Sequence, residues 1–425
     1  MKMPPSSHTH SVPYLKRHLE GSLAEALADT PVVCILGPRQ CGKSTLALHA
    51  APNRAYVSLD DPNSCQLASL DPKGFIGELP EFVTIDEVQR VPELTLAIKQ
   101  SVDANRKPGR FLLTGSADLL QLPRLADSLA GRMEWIELQP FSESEKEGTD
   151  GLFLQQWLTG KLQTRISAST PPRASTLPGR VIAGGYPEAF RRQPARARQW
   201  QEQYVRSLIE RDIHEISQVR DGEEIGRFLE YMSHQTARLL NVTETAKALG
   251  HTRATVEKYL SIVEKLYLVR RLPAWHRNVQ KRLIKSPKIH MCDSGLAAAL
   301  AGITETAWIH DRRQFGYLLE SFVVQQLSIQ AARMGSKTRL WHYRDKDKVE
   351  VDCVLTQGRL TWGAEVKAAA SIDASDAKGL RRLAEQAGGD FQGGVVFYDG
   401  DSVLPLDRER QLFAVPISKL WELSL

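Results

Sequence analysis

Short apolar runs separated by helical stretches set the pattern of the first third of the chain. VVCIL (32–36), YVSL (56–59), FVTID (82–86), FLLTGS (111–116) and WIELQP (135–140) are of strand length, and the stretches between them suit crossover helices. That alternation predicts a parallel sheet flanked by helices. From about 195 to 275 the period changes to that of a helix, with Leu208, Ile209, Ile213 and Ile216, then Val256, Leu260, Val263 and Leu266, on shared faces. Beyond 315 a long helical run, GYLLESFVVQQLSIQAARMG, leads into the strands LWHYR, VEVDCVL, TWGAEVKA and GGVVFYD, a second α/β block. The stretch 163–180, QTRISASTPPRASTLPGR, has no apolar period and is rich in Ser, Thr and Pro, so it reads as a connecting loop. The expected division is an α/β domain over 1–160 with an N-terminal helix, a linker over 161–185, a helical region over 186–310 and an α/β domain over 311–425.

A length of 425 residues exceeds what one hydrophobic core organises, in agreement with that division. No stretch approaches the roughly 20 apolar residues that span a bilayer, and MKMPPSSHTHSVPYLKRHLE lacks the apolar run of a secretory signal. The expectation is a soluble cytoplasmic protein with no membrane partner. The five cysteines, Cys34, Cys41, Cys65, Cys292 and Cys353, have no metal-ligand spacing and read as free thiols. Charge is nearly balanced overall but not locally. Between Lys265 and Lys288 there are eight basic residues (Lys265, Arg270, Arg271, Arg277, Lys281, Arg282, Lys285, Lys288) and no acidic one. A shorter cluster, Arg191, Arg192, Arg196 and Arg198, precedes Trp200. Each is open to two readings, a solvated face or a contact with phosphates.

VVCIL runs directly into Gly37-Pro38-Arg39-Gln40-Cys41-Gly42-Lys43-Ser44-Thr45, which satisfies G-x-x-x-x-G-K-[ST] in the strand, loop and helix context that the motif requires. In that context backbone N–H groups of the loop cradle phosphates, Lys43 neutralises the β and γ charge, and the Ser44 hydroxyl is a magnesium ligand. About forty residues later FVTID ends in Asp86 and Glu87. Asp86 is then expected in the magnesium shell, and Glu87 as the general base that polarises water. FLLTGS places Thr114 and Ser116 at the end of another core strand, where either is a candidate γ-phosphate sensor or a simple turn cap. Phosphoryl transfer also wants a cation against developing charge. The candidates are Arg132, favoured, with Arg206 and Arg211.

Leu240 to Gly250 reads as a helix closed by glycine, and Thr252 caps a second helix reaching Leu260. This is helix-turn-helix spacing, and Leu266–Leu272 is the expected wing strand of a winged helix at about 230–275. Bound DNA would meet Thr252, Arg253, Thr255 and Lys258, with Arg277, Lys281 and Arg282 extending the contact; the rival reading is a packing or assembly module. In the last block Asp352 precedes Glu365-Val366-Lys367, with Glu320 on the helix before them. That order matches a PD-(D/E)xK nuclease arrangement, in which Asp352, Glu365 and Glu320 would hold Mg²⁺ and Lys367 would orient water. A sheet edge with an ordinary Glu365–Lys367 ion pair fits the same residues.

GPRQCGKST, IDEVQ, LLTGS, LAGR, PFSESE and GGYPEA, in this order, resemble the prokaryotic AAA-type ATPases with an appended DUF4143 region, and the resemblance covers nearly the whole chain. It implies an AAA+-like P-loop domain, a helical and winged-helix middle, and a C-terminal domain similar to restriction endonucleases. The expected function is that of an ATPase using ATP and Mg²⁺, assembled as a hexameric ring and coupling hydrolysis to DNA binding, translocation or remodelling. Two alternatives remain: an ATP-driven signalling or defence switch that uses the C-terminal domain for protein contacts, and a metal-dependent nuclease gated by ATP.

Overall fold

A computed structural model describes residues 14–115, 129–162, 176–216, 222–282 and 285–422. The five early apolar runs form one parallel sheet: β1 (Val32–Leu36), β2 (Ala55–Ser58), β3 (Val83–Asp86), β4 (Phe111–Gly115) and β5 (Met133–Glu137), in the order β2-β3-β4-β1-β5. β1 and β4 are buried on both faces, as near-continuous Val, Ile and Leu runs require in a sheet covered by helices. Because β4 inserts between β1 and β3, the residues that follow all three strands gather at one edge of the sheet. Ligands of open α/β sheets bind outside the carboxyl ends of the strands.

The middle region is helical with a small sheet. Helices Val242–Leu249 and Arg253–Lys265 are joined by Gly250 in the left-handed conformation. The side chain of Thr252 accepts from the Thr255 N–H, as its capping position predicted. β6 (Arg238–Leu239), β7 (Val269–Leu272) and β8 (Lys288–Met291) form an antiparallel sheet in the order β6-β8-β7. The expected loop over 163–180 is only partly described, and its end is not a loop: Leu177–Ala183 is a helix. Pro178 sits in its first turn, where a missing N–H costs nothing, and Leu177 and Val181 are buried.

The C-terminal block is a six-stranded mixed sheet of β9 (Thr338–Arg344), β10 (Glu350–Gln357), β11 (Leu360–Val366), β12 (Phe391–Tyr398), β13 (Leu404–Asp407) and β14 (Leu412–Pro416), ordered β13-β14-β12-β11-β10-β9. Helix Lys378–Ala387 packs Leu380 and Leu383 on one face. The long helix Arg312–Arg333 is buried along most of its length, including three glutamines. Two of them are used as clamps on the segment after the first sheet: Gln326 accepts from the Glu143 N–H at 2.9 Å, and Gln330 accepts from Leu154 N–H at 2.8 Å and donates to the Leu420 carbonyl at 2.9 Å. Phe153 and Trp157 join the core shared by the middle region and the C-terminal sheet, where Phe153 meets Phe397. Packing therefore ties residues 143–158 to the later blocks, ahead of the boundary expected at 160.

Candidate nucleotide site

The loop after β1 turns where the sequence lets it. Gly37 has φ +153°, and a Cβ there would collide with the Leu138 carbonyl. Gly42 has φ +102° and opens helix Lys43–Ala50, so the free N–H groups of that helix face the loop's interior. Lys43 is buried, its ammonium donating to the carbonyls of Gly37 (3.1 Å) and Pro38 (2.9 Å). Ser44 Oγ donates to Asp86 Oδ1 at 2.7 Å, joining the end of β3 to the first turn of the helix. The Thr114 hydroxyl donates to the same carboxylate oxygen and accepts the Glu87 N–H at 3.3 Å. Glu87 stands in the left-handed region at φ 57°, sparsely populated by non-glycine residues and frequent at functional sites, and Gln89 donates to its carboxylate. Lys43, Ser44, Asp86, Glu87 and Thr114 thus come together at one edge, while Ser116 lies outside the described residues.

A cavity of about 620 Å³ opens over the loop. Gln40, Gly42, Lys43, Ser44, Thr45 and Glu87 form its floor. One wall is Tyr14, stacked on His49 with ring centroids 4.0 Å apart. Glu188, Arg191, Arg192 and Trp200 also line the cavity. Arg191 and Arg192, half of the short basic cluster, therefore face the loop; both lean on Glu188, at 3.9 and 3.0 Å. Arg132, the favoured cation, does not: it immediately precedes β5, at the end of the sheet remote from the loop, and pairs with Asp103 at 2.6 Å. The reason is topological, since a parallel strand carries its first residue away from the edge where ligands gather. Arg206 is exposed on helix Pro194–Ile216, and the side chain of Arg211 lies outside the described residues.

Sequence reasoning missed the brace beneath the loop. Arg17 is buried. It donates to Glu145 at 3.0 Å, the Cys41 carbonyl at 2.9 Å and the Gln139 carbonyl at 2.6 Å. Glu145 belongs to PFSESE, whose Ser142 and Glu145 form a reciprocal capping box at the start of helix Glu143–Glu147. Burial alone would raise the Glu145 carboxyl, but Arg17 and His18 hold it below its ordinary value. A second support comes from GGYPEA: Tyr186, Trp200 and Tyr204 form one aromatic cluster, and the Tyr204 hydroxyl donates to the Arg39 carbonyl at 2.8 Å. The motif strings were visible in the sequence; their contacts with residues 17 and 39 were not.

Much of the basic run makes contacts within the chain while staying partly exposed. Arg270 bonds Ser328 and faces Glu137 at 3.6 Å; Arg271 pairs with Glu264 at 2.8 Å and Glu257 at 3.5 Å. Arg282 lies over the rings of Trp275 and Trp341, and Lys285 donates to the Arg344 carbonyl. Arg282, expected to extend a DNA contact, thus has aromatic neighbours within the chain. The Lys281 side chain lies outside the described residues. Arg277 is exposed, as are Thr252, Arg253 and Lys258, with Thr255 half-buried beside them.

At the C-terminal constellation Glu320, Asp352 and Glu365 are close together, and Lys367, 3.9 Å from Asp376, lies near enough to pull Glu365 and Asp352 down. Lys288 of β8 enters the cluster as well, 2.8 Å from Glu320 and 3.1 Å from Asp352. Burial raises Glu320 and Glu365 well above the carboxylate range, whereas Asp352 is lowered against burial by Lys288. Among the described residues no group of three or more His, Cys, Asp and Glu is arranged to hold a metal ion, and no helix is long and apolar enough to cross a membrane.

Three domain families match the chain: an AAA domain over 29–146, the domain of unknown function DUF8612 over 175–307 and the domain of unknown function DUF4143 over 315–420. Uncharacterized protein Rv2008c of Mycobacterium tuberculosis is 28% identical over 354 residues, 83% of this chain and 74% of that protein; Mb2031c of Mycobacterium bovis matches to the same extent. Among solved structures, the Walker-type ATPase PABY2304 of Pyrococcus abyssi is 15% identical, with 70% of this chain and 99% of that chain covered and a TM-score of 0.42. The Orc1 protein of Aeropyrum pernix, solved in complex with DNA, is 13% identical, covering 67% of this chain and 91% of that one, with a TM-score of 0.26. The chain thus carries an AAA domain followed by a DUF4143 region on one polypeptide, in the order its motifs led us to expect.

Proposed function

We propose that this chain binds and hydrolyses ATP at the edge of its parallel sheet and passes the nucleotide state to the middle region. The observation that carries the reading is the joint bonding of Ser44 and Thr114 to Asp86 beside Glu87. A hydroxyl and a carboxylate are hard oxygen donors that suit Mg²⁺, so Ser44 and Asp86 are the residues that would hold it, where the ion would supply charge neutralisation for phosphoryl transfer. The loop Gly37 to Thr45 would cradle the phosphates, with Lys43 leaving its carbonyl partners for them. Glu87 would accept a proton from water. Thr114, bonded to both acidic residues through side chain and backbone, positions them. Arg191 and Arg192, which line the pocket, would supply cationic charge within the same chain; a hexamer with Arg132 acting in trans is a separate expectation, tested by sedimentation with and without ATP.

Two outputs are compatible with this engine. The exposed turn of Thr252, Arg253 and Lys258 supports DNA contact at the start of helix Arg253–Lys265. The contacts of Arg270 and Arg271 with carboxylates, and of Arg282 and Lys285 with other groups of the chain, favour the switch, because they engage part of the positive charge that phosphate binding would draw on. Steady-state ATP hydrolysis with and without single-stranded, duplex and branched DNA, at two salt concentrations, separates them. Turnover that is lost in Lys43→Ala and rises with one DNA form, less so at high salt, supports the DNA-driven engine. Turnover indifferent to every DNA form, with an assembly state that changes on ATP addition, supports the switch. Turnover unaffected by Lys43→Ala would overturn the assignment of the site.

A further inference from the structure

The carboxylates of the C-terminal sheet invite comparison with a divalent-metal centre, and the side chains around them do not fit one. Glu320 reaches in from helix Arg312–Arg333, and Glu350 and Asp352 from β10. Their oxygens surround the ammonium of Lys288 at 2.8 Å (Glu320), 3.1 Å (Asp352) and 3.7 Å (Glu350). An ammonium has three donors and no acceptor, and here three carboxylates stand around it. The Lys288 side chain is 3% exposed, so no water shell competes. The other oxygen of Asp352 accepts the Val366 N–H at 2.9 Å, which fixes the carboxylate toward the lysine. Two residues along β8, His290 lies buried on the same face. Its Nδ1 bonds Ser321 at 2.9 Å, while Nε2 has no hydrogen-bond partner and points toward Glu320 at 4.0 Å. A Mg²⁺ ion would need these oxygens at about 2.1 Å in an octahedron; the ammonium already lies among them.

We propose that Lys288 is the resident cation of this cluster, and that it makes the C-terminal sheet one half of an internal latch rather than a divalent-metal nuclease. The lysine comes from the middle sheet and the carboxylates from the C-terminal domain, so the charge pairing fastens one to the other. The same junction is reinforced beside it, where Trp275 N–H donates to the His342 carbonyl at 2.6 Å and His342 N–H to the Pro273 carbonyl at 2.9 Å. Those carboxylates are not arranged to hold a metal ion around the ammonium; withdrawing it would leave three hard oxygen donors around a vacated position, free to close on a divalent cation.

Manganese uptake, read from the paramagnetic resonance of free Mn²⁺, tests this on the full chain without nucleotide. An Asp86→Asn background keeps the P-loop carboxylate from contributing. The chain with Lys288 intact is expected to take up no stoichiometric Mn²⁺ at about 1 mM, the weak end of oxygen-ligand sites. Lys288→Met is expected to gain a saturable site that adding Asp352→Asn removes, with Mn²⁺ raising the melting temperature of Lys288→Met alone. A stoichiometric site in the chain that keeps Lys288 overturns the proposal whether or not the variant folds. Folded Lys288→Met that takes up no Mn²⁺ also overturns it, since the ammonium would not then be what stands in the metal's place.

Discussion

Replacing Arg17 with methionine probes the brace beneath the nucleotide loop. Arg17 and Glu145 are both almost fully buried, 3.0 Å apart, and the guanidinium also holds the Cys41 and Gln139 carbonyls. Methionine keeps much of the volume but leaves a buried carboxylate without its cation and two carbonyls without a donor. Breaking one side of a buried pair costs about 3–5 kcal/mol, which for a domain of this size lowers the melting temperature by roughly 10 °C. The pH dependence should invert as well. In the wild type the folded Glu145 carboxyl is depressed, so its stabilisation is present above the unfolded value near 4.5 and is lost as pH falls through the lower folded value. In Arg17→Met burial dominates and raises it, so stability should instead fall as pH climbs above about 4.5. Urea unfolding across pH 4 to 8, in a cycle with Glu145→Gln, checks both points: the double variant should recover part of the loss. The reasoning fails if Arg17→Met lies within about 0.5 kcal/mol of the wild type, or if the two substitutions simply add.

Glu87→Gln should retain ATP binding while turnover falls about 10²- to 10⁴-fold, the usual contribution of a positioned base; a nucleotide-binding titration beside a phosphate-release assay separates the two. Arg191→Ala with Arg192→Ala should weaken ATP binding more than ADP binding, and equal losses for both nucleotides would place the arginines away from the terminal phosphate. Tyr204→Phe removes the hydroxyl from the Arg39 carbonyl and should cost about 1 kcal/mol of stability, with no change in the oligomeric state seen by sedimentation. Gly379→Ala should destabilise the C-terminal domain by about 1–3 kcal/mol, because its Cβ would collide with the Glu350 carbonyl and the Glu365 carboxylate; a melting temperature equal to the wild type would refute that packing.

The local part of this protein was legible from its sequence. VVCIL followed by G-x-x-x-x-G-K-S dictates a buried strand, a tight loop and a helix start whatever surrounds them, because each depends on a few consecutive residues. Gly250 and Thr252 likewise fixed where two middle helices end and begin, and the runs VEVDCVL and TWGAEVKA located β10 and β11. What distant residues do to one another was not legible. Arg132 was judged by its motif, but its distance from the loop follows from the direction in which β5 runs. The run from Lys265 to Lys288 looked like a surface because nothing local says that Trp275 and Trp341 will cover Arg282 or that three carboxylates will enclose Lys288. Arg17 pairs with Glu145 across 128 positions of chain, a contact without any periodic signature. Hydrophobic period and turn chemistry are written in neighbours, whereas the partners of buried charges are chosen by strand order and domain packing, and here these decided which charges stay free to act.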